Sequence, residues 1–441
     1  MTSPPADAYP RPNARLHLNA FFPFGPVYVW DEMGRPEGYY EFDGFARLAQ
    51  TAERGLFTAV FLGDSQRLRE HLGKITDTAV TGRPDQLVLF AQLAAVTRHI
   101  GLVATLNTTY SDPVDLARRI ATVDALSSGR AGWNVVTTDN AWTGENFRKG
   151  GYLGHADRYR HALEHLRIVQ RLWDQQQVRF RGEFYQVTAG PSVPPSAQVH
   201  PVLFQAGESD EGRDFAAKHA EAIFSRYLTL DSALEFAADM TRRLTAAGRP
   251  RDDIKIIPGA KITLGTTLAE AREKAAWFDR RTWTSRRVIA VIESVWGADL
   301  SSLDVDGPLP DFDPADPEQT KTHGVVNSRD QPLRIAAQWR QLAADRGYSI
   351  RQLVAHLSQT REFIGTPGSV ADELAHYVRS GAIDGLNLTP NAVPTGFDDV
   401  VELLVPALQN RGVYPERYPG TTLRENLGLP APVSHRQLVG S

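Results

Sequence analysis

The 441-residue chain contains no cysteine. That absence excludes disulfides, iron–sulfur clusters, thiolate-ligated haem, thiolate zinc and cysteine nucleophiles together. Redox chemistry in such a chain must come from a bound organic cofactor or from a metal held by His and carboxylates. An excess of one charge is also lacking, with 48 Lys and Arg against 52 Asp and Glu and a formal net charge of −4. The signs are interspersed, which gives no footprint for nucleic acid or an anionic membrane. No apolar run approaches the roughly 20 residues that a membrane helix needs. Met1-Thr2-Ser3-Pro4-Pro5 lacks the basic start and apolar core of a secretory signal. A soluble, cytoplasmic protein is expected. No GxGxxG turn follows the first apolar run, which weighs against a doubly wound nucleotide-binding sheet without excluding it.

What is present is an alternation of short apolar runs and helical stretches, the pattern of βαβ units and a parallel sheet. It predicts strands over 16–22, 58–62, 101–107, 131–137, 201–205, 222–225, 254–264 and 385–388. It predicts helices over 42–54, 86–97, 113–127, 157–173, 210–219, 232–247, 268–281 and 398–410. Eight strand–helix pairs are what a closed barrel requires. The expected fold is α/β, a TIM (β/α)8 barrel over 15–412 with insertions at about 139–200 and 285–365. A tail at 1–14 and an extension at 413–441 flank it. The first insertion holds a Pro-rich loop, Gly190-Pro191-Ser192-Val193-Pro194-Pro195. The second holds the Asp- and Pro-rich stretch 299–330, which cannot be a regular element and is either a surface excursion or a lid.

Catalytic side chains of such barrels sit at the C-terminal ends of the strands. Gly129-Arg130-Ala131-Gly132-Trp133-Asn134-Val135-Val136-Thr137-Thr138 reads as a buried strand running into a polar tip. Asn134 there must find partners or cost a few kcal/mol, and either a ligand edge or ordered water supplies them. Asp64 follows the second strand and serves a cofactor or its own turn. Thr105 stands in Ala104-Thr105-Leu106-Asn107-Thr108-Thr109-Tyr110, a dense set of short donors and acceptors. His155 and Tyr159 are four apart at the start of an amphipathic helix and share a face, toward a ligand or toward solvent. His161 and His165 repeat the spacing, but neither HExxH nor a third ligand accompanies them, so no metal site is expected. In Gln205-Ala206-Gly207-Glu208-Ser209-Asp210-Glu211-Gly212 a strand ends and a helix begins. Ser209 either caps that helix or joins its first N–H groups in an anion cradle, from which Glu208 should turn away. Phe22 and Trp30, in an aromatic-rich loop over 21–40, and Trp142 form either a substrate wall or rim packing.

The order of these pieces matters more than any one of them. FLGDS, ATLNTTY, SGRAGWNVVT, NF followed by HADRY, and QAGESDEG come in succession. The later blocks are DGPLP, FIGTP, DGLNL, VPALQNRG and TLRENLGL. The succession resembles the flavin-dependent monooxygenases of the bacterial-luciferase-like superfamily, in the branch of the nitrilotriacetate, dibenzothiophene-sulfone and long-chain alkane monooxygenases. The resemblance implies an FMN-binding barrel acting as the oxygenase of a two-component system. An NAD(P)H:FMN reductase would supply FMNH2, and one O2-derived oxygen would enter a small organic substrate, with C–S or C–N cleavage in some cases. By the matching motifs Asp64, Thr105, Asn134, His155, Tyr159 and Ser209 line the FMN site, with Ser209 and Tyr159 toward the phosphate. His155, whose imidazole titrates near neutrality, is the implied acid–base residue, with Asn134 beside it. A homodimer or homotetramer is implied as well. The chain departs from the pattern at Glu208, where the family often has a small residue, and in the first βα loop. An F420-dependent hydride-transfer enzyme on the same barrel, and a flavin-binding protein without turnover, stay open beside it.

Overall fold

In β1 (His17–Phe22) the even residues Leu18, Ala20 and Phe22 pack outward into a shell shared with helices, so His17, Asn19 and Phe21 point inward. The same alternation runs through β2 (Ala59–Leu62), β3 (Gly101–Asn107), β4 (Ala131–Val136), β5 (Val202–Gln205) and β6 (Ala222–Ile223). It continues in β7, formed by Lys255–Ile256 and, past Pro258, Gly259–Leu264, then in β8 (Arg361–Gly365) and β9 (Gly385–Leu388). The structure is a computed structural model and describes residues 11, 14–22, 29–30, 42–63, 70–71, 74–75, 84–137, 155–227, 229–315, 331–393 and 395–432.

All these strands pair in parallel, in the order β6-β5-β4-β3-β2-β1-β9-β7, with β6 also on β7. The ring closes across the proline, which has no N–H to give. On one edge of β7 the N–H groups of Ile257 and Gly259 donate to the carbonyls of Ile223 and Ser225. On the other edge the carbonyls of Ile256 and Pro258 accept from Asp384 and Asn387. Carried round from Lys255 through Ala222, Phe204, Asn134 and Thr105, the register returns to β7 at Thr263, eight residues further on. That stagger is the one (β/α)8 barrels have. The predicted fold class and its eight strands are therefore those observed; β8 is a ninth, taking the edge of β7 beyond the point where β6 leaves it.

Helices α1 (Phe42–Arg54), α2 (Gln86–Val96), α3 (Pro113–Leu126), α4 (His155–Trp173), α5 (Asp210–His219) and α6 (Leu230–Ala246) follow β1 to β6. Their starts are written in the sequence: Asp85 and Asp112 accept N–H groups of the first turns, and Pro113 takes the first position of α3. Gly129, at φ +88°, makes the left-handed turn that leads α3 into β4. The second insertion is more regular than its composition suggests. After α7 (Leu268–Thr282), which is the helix expected over 268–281, it contains α8 (Ser285–Trp296), α9 (Gln331–Arg346) and α10 (Ile350–Leu357), and leads through β8 into α11 (Pro367–Arg379). Trp296, Ile292, Val288 and Val354 close a satellite core between α8, α9 and α10. The Asp- and Pro-rich stretch is irregular over 299–315, and 316–330 lies outside the described residues. The first insertion adds a hairpin of Val178–Arg181 with Gln186–Ala189. Among the described residues no helix is long and apolar enough to cross a membrane.

The segment after α12 (Val405–Gln409) turns back under the barrel. Leu427, Leu429 and Leu423, which opens the one-turn α13 (Leu423–Asn426), join Phe61, Val103, Val202, Phe204 and Ile257 in the barrel's own core. A Cβ on Gly101 would collide with the Leu423 side chain, so the glycine makes room for the plug. Leu423→Ala should cost about 2–5 kcal/mol, the range for a buried leucine whose cavity cannot collapse. Urea unfolding followed by circular dichroism would measure it, and a loss under 1 kcal/mol would mean the floor refills.

Candidate active site

The mouth of the barrel gathers the polar strand ends. Thr105 and Asn134 are register partners on β3 and β4. The Asn134 amide donates to Thr105 Oγ1 at 3.0 Å, and the residue is only 3% exposed. Among the described residues its Oδ1 has no hydrogen-bond partner. Gln86, at the start of α2, fixes the backbone of the same strand end: its Oε1 accepts from Thr105 N at 2.7 Å and its Nε2 donates to Thr105 O at 3.2 Å. Nothing local in the sequence marks Gln86, because the bond spans a whole βα unit.

Beneath this pair the barrel is aromatic. Phe61 stacks on Phe21 with centroids 5.8 Å apart, meets Phe204 edge-on at 6.0 Å and faces Phe224 at 6.5 Å. Phe22, predicted to touch substrate, does not reach this face. It is 0% exposed and packs against Phe45 of α1, since one step along a strand reverses the side. Phe21 is the residue that points inward.

A second cluster joins α4 to the turn between β5 and α5. A Cβ on Gly207 or on Gly212 would stand 2.8 Å from the Tyr159 hydroxyl, so the two glycines admit that ring against the turn. Ser209 caps α5, its Oγ accepting from Gly212 N at 3.2 Å. Gln205 Oε1 accepts from Gly207 N at 2.5 Å. Glu208 is occupied elsewhere: its Oε1 accepts from Arg226 N at 2.6 Å, and its other oxygen lies 3.6 Å from the Arg226 guanidinium.

Thr105 and Asn134 are thus brought together, as are Tyr159 and the turn that carries Ser209. His155 opens α4, one turn before Tyr159, and is described by its backbone alone. The same holds for Trp30, whose short strand pairs with Ala392–Val393. Asp64 and Trp142 lie outside the described residues. His165 is core: it is fully buried beside Trp133, its Nδ1 lies 3.0 Å from the Tyr185 hydroxyl, and burial pushes its pKa down to about 3.

Across the mouth, β7 and β8 contribute a polar group that sequence reasoning did not single out. Asn391 Nδ2 donates to Thr263 Oγ1 at 2.7 Å, and Thr263 Oγ1 donates to Glu362 Oε1 at 2.6 Å. Burial raises the Glu362 carboxyl and lowers the neighbouring Lys261 ammonium from their ordinary pKa values.

The family model described as luciferase-like monooxygenase matches residues 23–383. Nitrilotriacetate monooxygenase component A of Aminobacter aminovorans is 32% identical, over 95% of this chain and 98% of its own. N-acetyl-S-(2-succino)cysteine monooxygenase of Bacillus subtilis is 35% identical, over 89% and 91%. A riboflavin lyase solved with modified FMN and riboflavin superposes with a TM-score of 0.76 at 27% identity, over 95% and 97%. A coenzyme F420-dependent tetrahydromethanopterin reductase, at 14% identity and a TM-score of 0.54, shares the fold alone.

Proposed function

Because the chain belongs to the luciferase-like monooxygenases, we propose that it is the FMNH2-dependent oxygenase of a two-component system, fed by an NAD(P)H:FMN reductase. One O2-derived oxygen atom enters a small organic substrate. The observation that carries the reading is the pair of features at the mouth. Asn134 holds a buried acceptor without a donor, and Tyr159 and Ser209 flank a glycine-lined helix start.

These residues fit FMN. An unsatisfied buried acceptor costs about 1–3 kcal/mol, and the flavin ring carries an N–H that relieves it. The first N–H groups of α5, with the hydroxyls of Ser209 and Tyr159, suit a phosphate, and Glu208 is drawn off by Arg226. When bound, the reduced flavin supplies the electrons that activate O2. The chain's own residues bind and orient. Thr105 fixes the Asn134 amide, Phe21 and Phe61 keep water from below, and His155 is the assigned proton donor and acceptor. The relatives named for nitrilotriacetate and N-acetyl-S-(2-succino)cysteine favour a substrate whose oxidation ends in C–N or C–S cleavage.

Anaerobic fluorescence titration with FMNH2 tests the site. Asn134→Ala should weaken FMNH2 by about tenfold, the equivalent of one lost hydrogen bond to a buried group. Tyr159→Phe should weaken FMNH2 and riboflavin differently, because only FMN carries the phosphate. Equal loss for both flavins would remove Tyr159 from the phosphate. A wild-type protein that binds no FMNH2, or that with reductase, NADH and 18O2 labels none of a panel of aminopolycarboxylates, thioethers and sulfones, would overturn the proposal.

A further inference from the structure

Strand β7 lies four strands round the ring from β3, so Lys261 faces the mouth from the wall opposite Thr105. It belongs to the inward set of its strand, with Ile257 and Gly259, because Ala260, Ile262 and Leu264 pack into the outer shell. Its register partner on β8 is Glu362. Register partners on parallel strands point to one face, and opposite charges placed so ordinarily pair. These two do not: Glu362 takes its hydrogen bond from Thr263. Among the described residues no ion pair or hydrogen bond engages the Lys261 ammonium. Much of the lysine is nevertheless covered, and burial, helped by the charge of Arg287 on α8, lowers its pKa against the attraction of Glu362 and of Asp279 on α7.

A covered ammonium without a partner is costly, since the desolvation of an ion amounts to several kcal/mol unless an opposite charge offsets it. The charges present restrict what that partner is. A bare carboxylate would meet Lys261 but also two acids. A bare amine would meet the acids but also the lysine and the nearby charge of Arg287. A group that carries both charges a few ångströms apart satisfies each. We infer that this wall is the substrate-recognition subsite, and that it takes an amino-carboxylate group, the carboxylate at Lys261 and the ammonium at Glu362. Thr263 and Asn391 act as positioning residues, holding the Glu362 carboxylate through their donor chain. The assignment rests on the monooxygenase reading of the mouth and names the substrate class for it.

The probe is S-benzyl-L-cysteine, an amino-carboxylate with an oxidisable sulfur, compared with its methyl ester and its N-acetyl derivative. Calorimetric titration of the full chain, anaerobic and with FMNH2 present, reads the affinities. The wild type should prefer the parent compound over each derivative by about tenfold, a modest share of what a close charge pair contributes. Lys261→Met should erase the preference over the ester, and Lys261→Arg should restore most of it. Glu362→Gln should erase the preference over the N-acetyl compound. FMNH2 affinity should change less than about twofold, which also certifies the fold of each variant. A wild type that does not discriminate the three compounds overturns the inference. So does a Lys261→Met protein that loses FMNH2 as strongly as probe, for then the lysine serves the flavin. A wild type that discriminates the probes but binds no FMNH2 defeats only the monooxygenase reading.

Discussion

Replacing Asp384 by Ala should lower the unfolding free energy by about 3–5 kcal/mol, the cost of leaving buried cations without their counter-charge. The carboxylate sits just before β9 at the barrel floor, its side chain 5% exposed. Its Oδ2 accepts from Arg251 Nη2 and from Ile256 N, both at 2.8 Å, and Arg11 binds the other oxygen. Burial alone would raise the acid's pKa, but Arg251, Arg11 and Lys255 hold it well below the usual carboxylate range. A depressed folded-state pKa contributes stability that is fully present above the unfolded value near 3.9 and is lost as pH falls below it. His17 acts earlier in the same direction. Burial first, then Lys255, lowers it from 6.5 to about 4, so its share is complete above pH 6.5 and fades on the way down to 4. Acid unfolding of the wild type should therefore begin near pH 6 and steepen below pH 4. Asp384→Ala should flatten the lower limb, while the share of His17, which loses the raising influence of Asp384, fades over a wider span. Denaturant midpoints across pH 3–8 measure this, and an unchanged lower limb would disprove the role of Asp384.

The second large effect concerns binding. Gly207→Val should reduce FMNH2 affinity by on the order of 100-fold, about 2.7 kcal/mol, because the turn proposed to hold the phosphate is displaced. The added Cβ would stand 2.5 Å from Gln205 Nε2, 2.8 Å from the Tyr159 hydroxyl and 2.9 Å from Gly212 Cα. Tyr159 would be pushed off the turn that Ser209 caps. The turn lies at the barrel rim, so thermal stability should fall by far less than affinity. Fluorescence titration and melting curves on one sample separate the two, and retained affinity would show that the proposed cradle lies elsewhere.

The barrel was legible because short apolar runs alternate eight times with helical stretches, with caps such as Asp85 and Asp112 at the joints. What escaped was set at longer range. A continuous apolar run such as Ala20 to Phe22 does not disclose which parity faces in, so Phe22 was expected where Phe21 stands. The helix Ser285–Trp296 carries its own apolar stripe, but the Asp- and Pro-rich neighbour drew the whole region into one irregular insertion. Lys261 and Glu362 are 101 positions apart and become neighbours only when β8 docks on β7. No local spacing announces such a pair. The Thr105–Asn134 bond was foreseeable only as two polar strand ends, since the register joins them.

The leucine plug has a consequence for how the protein is made. Every strand of the ring is synthesised before residue 423, yet Phe61, Val103 and Phe204 lack their lower neighbours until then. The nascent barrel is thus a cup with a wet interior, and its last hydrophobic layer is set only when the following segment swings beneath it. Final consolidation waits for a segment that is made after all the strands.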